Sequence, residues 1–365
     1  MRVLLAGGGS AGHINPAISI AKKIAKHHPQ SDILFIGSKK GLEKDLVPRE
    51  GFNIQFIEIE GFKRPLGIRS FKTVYIMIKG FLQACSIVRK FKPDIAVGTG
   101  GFVSGPAIFA SFLRKSKILI HEQNAYPGIT NRMLAKCADV AMTSYESALK
   151  FFSKSKKAVL TGNLIDDSFA QFSKYEPHNG IKTVVVMGGS QGAMTINNAV
   201  IGMINEYMTD TDFKLIFAPG KRHYEETVNR ITKKLDNVVI NDYIYDRENV
   251  YREADLMVIR GGATTLSEVL AIGVPSVVIP SPFVPDNAQE KNAEQIYSKG
   301  ACELIYDNDE FNSKILYEKI TNLLNKRDRL IELSDNAYAI GIRDANERVY
   351  NEFSEVWNEI DCTGK

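Results

Sequence analysis

Cysteine is scarce. Cys85, Cys137, Cys302 and Cys362 are the only four in 365 residues, too far apart for a CxxC metal knuckle and too few for a disulfide framework. They read as unpaired thiols of a reducing compartment. No apolar run reaches the roughly 18 residues of a membrane-crossing helix. Val3-Leu4-Leu5-Ala6 runs straight into glycines instead of forming a secretory signal. The chain is therefore expected inside the cell, with nothing spanning a membrane. No His, Cys, Asp and Glu grouping has metal-ligand spacing. Asp210-Thr211-Asp212 has the form of a cation-holding carboxylate pair, but it precedes a strand and reads as a solvated turn. No metal or other cofactor is expected.

Acidic residues are missing from one stretch. From Gly61 to Pro93 there is no Asp or Glu, against eight Lys and Arg residues including Lys72 and Lys79. Residues 1–160 hold 25 Lys and Arg against 10 Asp and Glu, while the remainder holds 21 against 32. That asymmetry gives the first half an anionic partner. Within the acid-free stretch, Ile68, Phe71, Val74, Tyr75, Ile78, Phe81, Leu82 and Cys85 step by three and four, an apolar helical stripe. It is either an ordinary helix packed on its sheet or an interfacial helix on anionic lipid. No recognised nucleic-acid motif accompanies the charge, so nucleic acid is not an expected partner.

What is present is alternation. Short β-branched runs alternate with amphipathic stretches throughout. Strands are expected at Arg2–Ala6, Ile33–Ile36, Ile54–Ile57, Ile95–Gly98, Ile118–His121 and Val140–Thr143, then at Thr183–Met187, Lys214–Ala218, Val238–Ile240, Leu256–Ile259 and Ser276–Pro280. Helices fit at Pro16–His27, Pro106–Leu113, Met194–Tyr207, Tyr224–Leu235 and Thr265–Ile272. Such a pattern makes parallel sheets with helices on both faces, and the length suits two domains. The polar stretch Gln171–Gly180 reads as an inter-domain connection. The last helical stretch, about 333–360, has no strand after it and is free to pack back across the first domain.

Both halves open on a strand, a glycine-rich turn and a helix start: Gly7-Gly8-Gly9-Ser10-Ala11-Gly12 and Gly188-Gly189-Ser190-Gln191-Gly192. Helix-opening N–H groups favour an anion. The first turn matches GxGxxG, but the second strand ends Phe35-Ile36-Gly37-Ser38 without the carboxylate that a dinucleotide ribose needs. A tight turn with no ligand is the bland alternative, but three consecutive glycines exceed what turn geometry demands and let a ligand approach the backbone closely. His13 follows the loop at a helix N-terminus that disfavours imidazolium, which suits a general base; local capping or packing is the alternative. Thr99-Gly100-Gly101-Phe102-Val103-Ser104-Gly105-Pro106 and His121-Glu122-Gln123-Asn124 each follow a strand, at the sheet edge where ligands sit. In Arg260–Glu268, Glu268 either closes a capping box with Thr265 or accepts both hydroxyls of a ribose.

In order and spacing, Gly7–His13, Gly100–Pro106, His121–Asn124, Gly188–Ala193 and Gly261–Glu268 resemble the MurG family, the peripheral membrane N-acetylglucosaminyltransferases of peptidoglycan synthesis. The resemblance implies an α/β fold of two Rossmann-like doubly wound parallel-sheet domains facing a cleft (GT-B). An acceptor and membrane domain would occupy 1–160, a UDP-GlcNAc domain 161–340, and a terminal helix 341–365. It implies inverting transfer of GlcNAc from UDP-GlcNAc to the MurNAc 4-hydroxyl of lipid I, at the cytoplasmic face of the membrane, in the company of other cell-wall synthesis proteins. Carried over by motif, Glu268 would hold the ribose, Ala263 and Thr264 would supply loop contacts, and Ile244 would meet uracil through its backbone. Ser190 and Gln191 would lie at the diphosphate and Gln289 at the sugar hydroxyls. Ser10, Ala11, Gly12 and Asn124 would close on the donor from the other domain. His13 would be the base. Gly101, Phe102, Ser104, His121 and Glu122 would serve the acceptor, with Ile68, Phe71, Lys72, Tyr75, Ile78, Lys79, Phe81 and Leu82 at the membrane.

Two departures stand out. Ser10 and Ala11 replace the Thr-Gly usual in the family loop, and Asp166 stands where the family typically has Arg, so Asp166 is left out of the site. The rival readings are another GT-B lipid glycosyltransferase, a UDP-GlcNAc epimerase that needs no acceptor, and a non-catalytic membrane-associated scaffold for cell-wall assembly.

Overall fold

A computed structural model describes residues 1–59, 69–189 and 192–362, with the side chains of 69–73 left out. Two compact units emerge: Met1–Ile165 with Asp344–Lys365, and Asp166–Arg343.

The first unit runs β1 (Arg2–Gly7), α1 (Ala11–His27), β2 (Asp32–Ser38), α2 (Glu43–Arg49), β3 (Asn53–Ile57), α3 (Arg69–Phe91), β4 (Ile95–Gly100), α4 (Ser104–Leu113), β5 (Lys117–Glu122), α5 (Ile129–Leu134), β6 (Val140–Thr143) and β7 (Lys157–Leu160). Among the described residues its seven strands lie in the order β3-β2-β1-β4-β5-β6-β7, all parallel. Alternate residues explain the near-continuous apolar strands. Val3 and Leu5 point to the side covered by α1, while Leu4 and Ala6 point to the side covered by α3 and α4. β7 is an edge strand whose Lys157 and Ala158 are exposed, so it lacks the apolar run that marks the others.

The second unit runs α6 (Asp167–Ala170), β8 (Thr183–Met187), α7 (Met194–Gly202), β9 (Lys214–Ala218), α8 (Tyr224–Arg230), β10 (Val238–Ile240), α9 (Arg247–Glu253), β11 (Leu256–Ile259), α10 (Ala263–Ile272), β12 (Ser276–Val278), α11 (Ala288–Tyr297), β13 (Glu303–Leu304), α12 (Ser313–Leu324) and α13 (Arg327–Ile340). Its parallel sheet has the order β10-β9-β8-β11-β12-β13. In each sheet the strand order reverses beside the first strand of the unit, so the loops after β1 and β4, and after β8 and β11, flank a switch point at the carboxyl edge.

Several expected boundaries move. α7 gives way at Met203 to a wider turn through Tyr207, and α8 stops at Arg230 instead of Leu235. Gln171–Gly180 is not the boundary between units, which falls at Ile165 and Asp166. Phe172 and Tyr175 are buried, and Tyr175 Oη donates to Asp255 at 3.0 Å, so two aromatics tie that polar stretch into the second unit. The last helical stretch breaks at Gly341, and α14 (Ala345–Cys362) belongs to the first unit. There it buries Val349, Phe353 and Val356 in the same core as α1. Each such side chain contributes about 1.5–3 kcal/mol by burial. Lys157 pairs with Glu352 at 2.6 Å and with Glu355 at 2.9 Å along its flank.

Candidate active site

In the first unit the turn after β1 rests directly on the turn after β4. Gly8 N donates to Gly100 O at 3.3 Å, and a Cβ on Gly101 would come 2.1 Å from Gly8 O. Gly7 is equally confined, 2.0 Å from Thr99 Oγ1 by the same measure. Most of these glycines therefore serve the meeting of two loops. Gly9 differs: its φ is +88° and it faces open space. Below it lies Glu43, a buried carboxylate that accepts from Gly9 N at 3.2 Å, Ser38 N at 2.8 Å and Ser38 Oγ at 2.9 Å. Its charge is spent on the loop, and it lies five residues past the strand end where a ribose-binding acid was sought.

Ser10 caps α1 with its backbone alone, which leaves the N–H groups of Ala11 and Gly12 without intrahelical acceptors. Ser10 and Gly12 are exposed, Ala11 and His13 half-buried. Thr99 grips His13 twice: its hydroxyl donates to His13 O at 2.6 Å, and its carbonyl lies 3.1 Å from Nδ1. Gln123 Oε1 also lies 2.9 Å from Nδ1. Both neighbours face Nδ1 as acceptors, so that nitrogen carries the proton and Nε2 keeps its lone pair in the neutral ring.

His121 and Glu122 are buried, not open to an acceptor as expected. Burial holds the His121 pKa down to about 4 against the opposing bond to Gly162, so the ring is neutral near pH 7. Glu122 accepts from Asn124 N at 3.0 Å, Asn124 Nδ2 at 3.1 Å, Gly128 N at 3.1 Å and Asn131 Nδ2 at 2.9 Å. It builds the loop that presents the half-buried Asn124. Ser104 is buried against Gly98, whereas Phe102 is exposed.

In the second unit Glu268 does not close a capping box. α10 starts at Ala263 with Gly262 as its N-cap, which puts Glu268 beyond the first turn and 1% exposed. Its carboxylate accepts from Tyr251 Oη at 3.1 Å and forms a close ion pair with Arg247. Burial raises its pKa, and Arg247 and Tyr251 partly offset that. Ala263 and Thr264 are half-buried at the helix start, and Ile244 is buried. Gln289 Oε1 accepts from Ser281 N at 2.9 Å. Ser190 and Gln191 lie outside the described residues. Asp166 caps α6, accepting from Ser168 N at 3.0 Å, a structural use for a carboxylate there. Arg260 is no free cation: it pairs with Asp307 at 2.7 Å. Asp212 accepts from Thr209 N at 2.8 Å, which makes the Asp210–Asp212 stretch a turn. Among the described residues no cluster of three or more His, Cys, Asp or Glu could hold a metal.

The α3 stripe divides. Phe81 and Cys85 are half-buried against the core that Ala84 and Val88, outside the stripe, enter, but Tyr75, Ile78 and Leu82 are 66%, 56% and 62% exposed. Ile78 and Phe81 line a cavity of about 560 Å³ with Phe102, Phe109, Ile129 and Met133. Lys79 forms an exposed ion pair with Glu58 at 2.7 Å. Ile68 and the side chains of Phe71 and Lys72 lie outside the described residues. No described helix is long and apolar enough to cross a membrane.

Glu43, Gln123, Arg247 and Tyr251 were not singled out from the sequence. Only Gln123 left a signal, as part of the polar run at the end of β5.

Comparison with known proteins agrees with this arrangement. Residues 3–143 match the glycosyltransferase family 28 N-terminal domain, and residues 183–349 its C-terminal domain. The UDP-N-acetylglucosamine--N-acetylmuramyl-(pentapeptide) pyrophosphoryl-undecaprenol N-acetylglucosamine transferase of Caldanaerobacter subterraneus subsp. tengcongensis is 42% identical over 362 residues, 96% of this chain and 98% of that protein. Its namesake from Acetivibrio thermocellus is 42% identical over 98% of both chains. The crystal structure of Acinetobacter baumannii MurG superposes with a TM-score of 0.81 at 25% identity, covering 97% of this chain and 99% of that one. The chain therefore belongs to glycosyltransferase family 28, in its MurG branch, with two Rossmann-like domains of the GT-B class.

Proposed function

We propose that the protein transfers GlcNAc from UDP-GlcNAc to the MurNAc 4-hydroxyl of undecaprenyl-pyrophosphoryl-MurNAc-pentapeptide, converting lipid I to lipid II with inversion. The full-length relatives at 42% identity carry that activity in their names. The observation that carries the mechanism is the commitment of His13 Nδ1 to Thr99 O and Gln123 Oε1, which leaves Nε2 as a base.

In this reading Nε2 takes the proton of the acceptor hydroxyl as its oxygen attacks the anomeric carbon. The bond to the UDP oxygen breaks, and the electron pair leaves with the diphosphate. The helix N-termini of α7 and α10 stabilise the charge that gathers there. Glu268 takes the ribose hydroxyls, Ile244 the uracil through its backbone, Gln289 the sugar, and Ser190 and Gln191 the diphosphate. Ser10, Ala11, Gly12 and Asn124 close on the donor from the first domain. The exposed Tyr75, Ile78, Leu82 and Phe102 dock on the anionic inner leaflet and hold the polyprenyl acceptor there. Other cell-wall synthesis proteins are further partners at that surface.

The test is UDP release from UDP-GlcNAc with and without a lipid I analogue, with the product linkage identified. Acceptor-dependent release and a β-linked GlcNAc are expected. Acceptor-independent conversion of UDP-GlcNAc would instead mark an epimerase, and binding without UDP release a scaffold.

A further inference from the structure

Behind His13 lies a relay that ends on a backbone carbonyl. Gly162 O can only accept, and it lies 3.0 Å from His121 Nε2, so that nitrogen carries the proton of the buried ring. His121 Nδ1 is then a lone pair, and it receives Gln123 Nε2 at 3.1 Å. The second hydrogen of the same amide goes to His121 O at 3.0 Å. With both amide hydrogens engaged, Gln123 Oε1 is turned toward His13 Nδ1 at 2.9 Å. A flipped amide would set its oxygen against two acceptors of His121 and its NH2 against the donor of His13. Gly100 packs against the same imidazole: its φ is +104° and a Cβ there would come 2.8 Å from Nδ1, so only glycine leaves room for the ring in this place.

We propose that His121 and Gln123 are positioning residues for the transfer reaction: the Gly162 carbonyl sets the His121 tautomer, which orients the Gln123 amide and thereby fixes the plane and proton of His13. The proposal rests on His13 being the base, and the chosen measurements separate the two. The side chains of His121 and Gln123 are both buried. They act through His13 as outer partners act through a metal-bound or catalytic imidazole. The neutrality of His121 near pH 7 matters because a second proton on Nδ1 would reverse the donation and turn the amide.

Gln123→Glu keeps the length and branching of the side chain and tests the contact with His13, while it removes the amide donor to His121. A carboxylate facing His13 favours imidazolium, so the His13 titration followed by imidazole 15N NMR should move up by about 1 to 3 pH units. The acid limb of kcat/KM should move with it, while the KM for UDP-GlcNAc stays unchanged. If the NMR titration stays where it is in the wild type, the relay is wrong. If it moves and the rate profile does not, the relay stands and His13 is not the base. A second pair guards against misfolding. His121→Asn keeps an acceptor for the Gln123 amide and should retain most of kcat, whereas His121→Phe removes it and should lose about tenfold or more in kcat at constant donor KM. Equal kcat in the two variants would overturn the proposal.

Discussion

Arg247 lays its guanidinium on the carboxylate of Glu268 while Tyr251 donates its hydroxyl to the other oxygen. In the proposed reading the guanidinium lifts from the acid as a ribose diol takes its place. Arg247 is half-exposed and lies over the Phe169 ring, so it has a path outward.

Glu268→Gln keeps the shape and removes the charge. Hydrogen bonds to a charged group are worth about 1.5–3 kcal/mol. The KM for UDP-GlcNAc should therefore rise by roughly 10- to 100-fold with kcat little changed, read from steady-state kinetics. An unchanged donor KM would remove Glu268 from the ribose.

The pH dependence of donor binding has a definite sign. Burial raises the Glu268 pKa, so the acid takes up its proton earlier as the pH falls than an exposed carboxylate does. Donor affinity should be full at high pH and be lost, on acidification, above the ordinary carboxylate range. Arg247→Met removes the cation that opposes this and should push the loss to still higher pH. Calorimetric titration of UDP across pH checks both statements.

Glu43 holds the loop that leads to His13. Glu43→Ala leaves Ser38 N and Gly9 N without their acceptor and should cost about 2–4 kcal/mol of stability, with a fall in kcat. Chemical denaturation of the two proteins reads the first effect. Equal stability would mean that the carboxylate is incidental to the loop.

Tyr75, Ile78 and Leu82 are more than half exposed and lie outside the buried core of α3, so polar substitutions there carry little folding cost. Tyr75→Ser, Ile78→Ser and Leu82→Ser together should leave thermal unfolding unchanged. Binding to vesicles containing anionic phospholipid should fall at least about tenfold, since each large apolar side chain is worth about 1.5–3 kcal/mol on transfer from water. Activity on a short-chain, soluble acceptor should persist.

The strands were legible because both faces of a parallel sheet are covered, which gives Val184–Val186 or Leu256–Ile259 unbroken apolar runs. The edge strand β7 has one wet side and left no such trace. Helical periodicity located the α3 stripe but could not say which part faces the core; burial of Ala84 and Val88 turned Tyr75, Ile78 and Leu82 outward. The helix start of α10 was misplaced because Gly262 provides the N-cap with no side chain to announce it. Partners of the site residues were hidden for a plainer reason. Gln123 meets His13 across 110 residues and Glu43 meets Gly9 across 34, contacts that only the strand order creates.

The account turns on the base. Donor affinity by calorimetry and turnover with a lipid I analogue, measured on the wild type and on His13→Ala, test it together. The account predicts the same dissociation constant for UDP-GlcNAc and a kcat lower by about 10²- to 10⁴-fold. A variant that turns over as fast as the wild type would contradict it.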